Sequence, residues 1–362
     1  MRNYNKALLI VAILVVGGIV GFIAFGASTV GSIEDEFNFT YDPSSPAPIE
    51  ALNFNVDIGS LNFKYNSSPT IYYAEIDVDI GITGWYMEGK TYLDFFDPST
   101  GWWDDVTATF TLQTLPGAWF DPSHWFKSYN VSVEVILRTD VVYDITALTS
   151  VGSIEMDVSE TVVLNGTSLT ASTGSITFNT LGYNDVMGDV KLETSTGSIE
   201  SSLVKTNFQG FEASTSTGSV SLNYTNCVMA DNLKGKTSTG SVSFKSYNMF
   251  YPTDTLLNLE TSTGSIDAEL YQYIAIGANV SGTWETSTGS VDVLYRDTSV
   301  NNDVRFVAST GTGSINYTPH ATMEITSLGS IYSSLNYGDA TYSYEFSLDT
   351  STGSVSADAQ SA

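Results

Sequence analysis

The 362-residue chain has little of what most enzymes need. It holds one cysteine, Cys227, and two histidines, His124 and His320. A lone cysteine excludes an intramolecular disulfide, and no Cys/His cluster exists to bind zinc or to assemble a Ser-His-Asp triad. Basic residues are also scarce, with 13 Lys and Arg against 40 Asp and Glu, giving a net charge of −27. Such a surface excludes nonspecific nucleic-acid binding and argues against docking on anionic lipid headgroups. Charged residues of both signs make up only 15% of the chain, so this is not the extreme acidic surface of a halophile. With 42% hydrophobic residues, the chain has ample material for a core.

The second half is dominated by a repeat, T-S-T-G-S followed by Ile or Val. Intact copies begin at Thr194, Thr215, Thr237, Thr261, Thr286 and Thr350, and degenerate ones surround Gly152, Gly174, Gly313 and Gly329. The turn glycines are therefore Gly152, Gly174, Gly197, Gly218, Gly240, Gly264, Gly289, Gly313, Gly329 and Gly353, spaced 21–25 residues apart except for one step of 16. Self-similarity at this period means one supersecondary unit stacked on its copies. After each glycine apolar residues alternate, as in Val220, Leu222 and Tyr224, which is the period of a half-buried strand. Thr-Gly-Ser supplies the turn between two strands. Leucine-rich and helical repeats lack support in the pattern, and a propeller blade needs roughly 40 residues. The expected fold is all-β: a single-chain parallel β-solenoid (β-helix) of about ten coils.

Parity assigns the threonines. Leu192, Leu259 and Trp284 precede Thr194, Thr261 and Thr286 by two, so the pairs share a face, with Glu193, Glu260 and Glu285 outward. This predicts inward or corner threonine ladders bonded from coil to coil.

The row of T-S-T-G-S-[IV] motifs resembles the "putative adhesin" β-helix domain family, formerly a domain of unknown function. The resemblance covers about residues 141–362, and Leu52–Tyr65 looks like a divergent early coil. It implies a β-solenoid exposed on a cell surface and carries over no catalytic or binding residue. The aromatic-rich stretch 72–129 departs from the pattern.

Ala7–Phe25 is an uncharged apolar run close to the ~20 residues that span a bilayer, with Arg2 and Lys6 before it and Glu34, Asp35 and Glu36 after. The positive-inside rule then predicts a single-pass plasma-membrane protein with a cytoplasmic N-terminus and an extracellular C-terminal domain. A cleaved signal peptide is the rival reading. The expected organisation is 1–6 cytoplasmic, 7–27 a transmembrane signal-anchor helix, 28–49 an acidic Pro/Ser stalk, 50–140 a divergent first coil plus cap, and 141–362 the solenoid. Seven N-x-[ST] sequons, against about five that chance supplies in such a composition, support glycosylation only weakly.

Residues 67–140 hold five of the six tryptophans: Trp85, Trp102, Trp103, Trp119 and Trp125. They read as a cap over the exposed end of the stack, and as the candidate partner-binding residues should the aromatic faces be open. Gly84–Thr91 matches the P-loop pattern, but its loop is bulky and no helix start follows, so nucleotide binding is rejected. No cofactor is expected. Calcium is the one ion that acidic loops such as Asp94/Asp97 and Asp104/Asp105 admit, although the Gly-Asp nonapeptide of calcium β-rolls is absent.

The functional expectation is non-catalytic: an adhesin or a structural envelope component. Its partners would be the membrane through the N-terminal helix, cell-surface glycans or envelope proteins, and copies of itself. A sensory or scaffold ectodomain recruiting a membrane partner is the alternative. Ice binding by regular Thr-x-Thr columns is a remote one.

Overall fold

The computed structural model describes residues 30–66, 72–85, 87–99, 101–115, 127–158, 161–186, 188–299, 301–335 and 337–361. Among them are 28 strands, two 3-10 turns and no α-helix. All the strands belong to one hydrogen-bonded sheet, which wraps into a nearly closed, barrel-like shell around one apolar core.

The repeat builds rungs. In each, one strand runs into the T-S-T corner and a second leaves after Gly-Ser, as Val190–Thr196 and Ile199–Phe208 do. Burial alternates along both, so every second side chain enters the core. Successive rungs pair in parallel and in register: Thr194 lies beside Thr215, Thr215 beside Thr237, and Thr237 beside Thr261. The corner needs glycine. Gly197 has φ +146°, and a Cβ there would lie 2.1 Å from the carbonyl oxygen of Gly174 in the rung before. That approach and that dihedral are open only to a residue without a side chain.

Inside, Leu192, Ala213, Gly235, Leu259 and Trp284 follow one another in register. The space beside Gly235 is taken by the side chains of Leu259, Val242 and Leu222, and Trp284 Nε1 donates to the Leu257 carbonyl at 3.0 Å. Burying each such large side chain contributes about 1.5–3 kcal/mol.

The segment Glu50–Ser60 opens the stack. Glu50–Ile58 pairs with Tyr143–Val151, and Gly59 sits under Gly152. Its open side is covered by an antiparallel sheet of Val30–Tyr41, Ala74–Trp85 and Lys127–Arg138, the last pairing in parallel with Ser60–Asn66. Among the described residues, Val30–Tyr41 pairs only with Ala74–Trp85. Its outer edge carries Glu34 and Glu36 outward and Asp35 half-buried on the core side, charges that oppose pairing with a further strand.

The far end breaks the sequence order. The Gly289 rung does not pair with the Gly313 rung. Tyr342–Thr352, which carries the final T-S-T-G-S, lies between Val280–Thr288 and Asn302–Thr312 and is parallel to both. The glycine column therefore runs Gly289, Gly353, Gly313. Gly329 is outside it: it ends a 3-10 turn in the hairpin Met323–Thr326/Ile331–Ser334, which packs antiparallel on Asn302–Thr312.

These observations correct the expected fold. The described residues are not a uniform run of about ten parallel solenoid coils. They form a 28-stranded, nearly closed, barrel-like sheet with antiparallel pieces at both ends and one rung inserted out of order. The expected membrane segment, 7–27, lies outside the described residues. Among the described residues no helix is long and apolar enough to cross a membrane, so the expected single-pass plasma-membrane placement is not borne out.

Candidate binding surface

The T-S-T-G-S corner separates its hydroxyls by direction. The first threonine turns inward: Thr194, Thr215, Thr237, Thr261, Thr286 and Thr350 are buried. Each donates its hydroxyl to the corner glycine carbonyl of the neighbouring rung, at 2.8–2.9 Å. The parity reading of the inner ladder therefore holds. The second threonine turns outward. Thr173, Thr196, Thr217, Thr239, Thr263 and Thr288 are exposed and paired in register, with Thr352 and Thr312 continuing the column.

Two serine columns flank these threonines. The serine between them, such as Ser195 or Ser216, is exposed. The serine after glycine forms its own ladder: the Ser198 amide donates to Ser175 Oγ at 3.3 Å, and the Ser219 amide to Ser198 Oγ at 3.2 Å. Since each Oγ accepts from the next rung, its O–H remains to donate outward. Every rung thus repeats the same small group of hydroxyls, stacked at about 4.8 Å, the usual spacing of neighbouring strands. A shallow groove of about 250 Å³ runs beside them, lined by Thr170, Ser172, Glu193, Ser195, Ser214 and Ser216 among others.

The few cations are largely engaged on the sheet faces. Lys236 meets Glu260 at 2.7 Å and Lys245 meets Glu269 at 2.7 Å, each bridging adjacent rungs. The hydrogen bond from Lys245 holds the Glu269 carboxyl below the usual range. The remaining carboxylates keep the surface acidic. One groove of about 790 Å³ on the outer face of the capping sheet includes Glu34, Glu36 and Asp79. Among the described residues no group of three or more His, Cys, Asp or Glu is placed to hold a metal ion. The loop acids bond within their own turns instead. Asp104 accepts from Thr107 Oγ1 at 2.9 Å and from the Val106 amide at 2.9 Å, which lowers its pKa, and Asp97 accepts from the Ser99 amide at 2.8 Å.

The two candidate tryptophans whose side chains are described, Trp102 and Trp103, pack against the capping sheet. Trp102 is buried, with ring centroids 4.7 Å from Phe37 and 5.6 Å from Tyr92, and its Nε1 donates to the Asp97 carbonyl. Trp103 is half-buried 5.7 Å from Tyr41, and its Nε1 donates to Asp105. Trp85 ends a strand of the capping sheet, with its side chain outside the description, and Trp119 and Trp125 lie outside the described residues. A cleft of about 180 Å³ opens between Phe37, Phe39, Tyr92, Pro98 and Trp102.

Other sequence candidates also find structural roles. Gly89-Lys90-Thr91 enters a 3-10 turn rather than a phosphate loop, and Lys90 faces Asp94 at 3.4 Å. His320 Nε2 lies 2.6 Å from Asp358, while His124 is outside the described residues. Cys227 is buried, and burial pushes its thiol up to about 11.

One exposed feature has no counterpart in the sequence reading. Leu181 and Tyr183 project from a register shift in Ile176–Val186, Tyr183 being 71% exposed with Lys205 Nζ 5.0 Å above its ring. Its signal is Leu-Gly-Tyr-Asn-Asp, one residue longer than the same point of the next rung.

No protein-family model matches the chain, and no curated protein matches it. Among solved structures, it is similar to a Clostridium sporogenes protein described as a "putative cell adhesion protein", at 12% identity and a TM-score of 0.22, over 90% of this chain and 100% of that one. At that score the likeness carries no argument, and the β-helix domain family remains a resemblance.

Proposed function

We propose that the chain is a non-catalytic adhesion protein that binds extended, repetitive surfaces through the hydroxyl-lined corner of its stack. The observation that supports this is the in-register repetition of outward Ser and Thr hydroxyls at each corner from Thr173 to Thr288. A repeated array adds many weak contacts into a strong one, provided the partner repeats too. With a net charge of −27, the fitting partner is neutral or cationic, and a neutral glycan matches a surface of small hydroxyl donors and acceptors.

The test is retention of the full chain on insoluble neutral polysaccharides. A variant carrying Ser195→Glu, Ser216→Glu, Ser238→Glu and Ser262→Glu should lose retention. One with the same number of Glu residues on the neighbouring face, at Ser221, Asn223, Ser243 and Thr177, should keep it. Equal retention of the two variants would refute the corner as the binding surface.

The outward threonine column favours a second reading, ice binding. It has one threonine per rung rather than the two of a Thr-x-Thr array, since Thr194 and its equivalents point inward. Thermal hysteresis in a solution of the full chain tests it directly.

A further inference from the structure

The out-of-order rung has a consequence for association that goes beyond the adhesive reading and does not depend on it. Tyr342–Thr352 and Val355–Gln360 fill a slot whose two walls come earlier in the chain. One wall is Val280–Thr288 with Val291–Asp297, and the other is Asn302–Thr312 with Ile315–Thr318.

The fit on both sides is that of an interior rung. Phe346 stacks on Trp284 with centroids 4.3 Å apart and faces Phe306 at 6.2 Å. Tyr344 lies 5.5 Å from Tyr295. At the corner, Thr350 Oγ1 donates to the Gly289 carbonyl at 2.9 Å, and Thr310 Oγ1 donates to the Gly353 carbonyl at 3.1 Å. Both walls precede the filler in the chain and are joined to each other directly. The filler itself reaches the slot only through the connection between Ser334 and Tyr342. Without it, both walls would present unpaired edges and uncovered aromatic core.

We propose that the chain self-associates by exchanging this terminal rung, the slot of one copy taking residues 342–360 of a second. The contacts that fill the slot are the same whichever copy supplies the strand, which is the condition for domain swapping. Fully extended, the connection from 335 to 341 reaches about 24 Å, enough to carry the rung to an adjacent copy. A short tether gives the chain's own rung an effective concentration on the order of millimolar, so exchange occurs when chains fold at comparable local density. The reciprocal second exchange then closes a two-fold dimer.

The register supplies the test. Thr283 and Ser347 are direct partners across the slot, and both face away from the core. Neighbouring strands bring such partners within the 4.4–6.8 Å Cα separation that a disulfide bridges. Full chains carrying Thr283→Cys alone and Ser347→Cys alone are mixed, unfolded, refolded together at high concentration and oxidised. A disulfide-linked heterodimer is expected, its yield rising with refolding concentration and its linked peptides joining positions 283 and 347. The double variant, refolded dilute, should form the same bond within one chain.

The proposal is overturned if the double variant closes its bond while the mixed single variants cross-link no more than Thr283→Cys mixed with Ser356→Cys, a pair out of register. It is overturned equally if the double variant fails to close, because the register itself is then wrong.

Discussion

The hydroxyl of Thr237 donates to the carbonyl oxygen of Gly218 at 2.8 Å, and two residues later the hydroxyl of Thr239 stands in solvent. One motif thus holds a buried bond and an exposed group of the same chemistry. Thr237→Val keeps the shape and leaves the Gly218 carbonyl short of a partner, which costs about 1–3 kcal/mol. Thr239→Val removes nothing buried and should fall within about 0.5 kcal/mol of the parent. Chemical denaturation of the two variants checks the difference. Equal stability would mean that the inner hydroxyl ladder is not holding the rungs together.

Gly264 tests the glycine column. A Cβ there would lie 1.9 Å from the Gly240 carbonyl oxygen, with φ at +144°. No side-chain rotation relieves a clash with backbone, so Gly264→Ala should open the stack locally, at a cost above about 3 kcal/mol. Gly329, off the column with φ +85° and open space around it, should lose about 1–2 kcal/mol on the same change. Hydrogen exchange should place the Gly264→Ala effect in the rungs of Gly240 and Gly289. Equal losses at the two glycines would place Gly329 in the column after all.

Parity alone located the inner threonines, because Leu192 and Thr194 are two apart on a strand that stays straight up to the corner. It could not order the rungs. Thr350 satisfies the same periodic pattern whether it follows Thr310 or precedes it, since each rung offers nearly identical edges to both neighbours. The step of 16 residues from Gly313 to Gly329 was the trace of the hairpin that sends the chain back. Trp102 was legible as cap material from composition, whereas its burial against Phe37 depends on a strand distant in sequence. The apolar run 7–25 was the strongest signal for a membrane helix, and it falls outside the described residues.

Trp102 should therefore act on the cap and nowhere else. Trp102→Ala empties a site enclosed by Phe37, Tyr92 and Phe96 and should cost about 3–5 kcal/mol. Because stacked units transmit stability mainly to neighbours, the loss should show as faster exchange in Val30–Tyr41 and Thr109–Leu112. The strands from Val190 to Val293 should be unchanged. Val106→Ala, at a residue 94% exposed in the same region, serves as the silent control. Spread of the effect into the middle rungs would contradict a cap that covers only one end.

Acid should act on the inserted terminal rung through two carboxylates of opposite sign. The hydrogen bond from Arg296, 2.8 Å away, and then His320 hold the Asp358 carboxyl below its ordinary value. Its contribution is thus complete above the unfolded carboxylate pKa of about 3.9 and is lost as pH falls through the lower folded value. Asp297 is the reverse. Burial raises its pKa even though Tyr295 Oη donates to it at 2.6 Å, so its charge opposes folding once pH exceeds about 4, and protonation relieves that. Exchange of the Val355–Gln360 amides, followed from pH 5 to pH 2 and corrected for intrinsic rates, should therefore show two separable effects. Asp358→Asn should flatten the acid-induced loss of protection. Asp297→Asn should steepen it, because the compensating gain is gone, while raising protection at pH 7. Parallel curves for the two variants would mean that neither carboxylate governs how firmly the terminal rung is held.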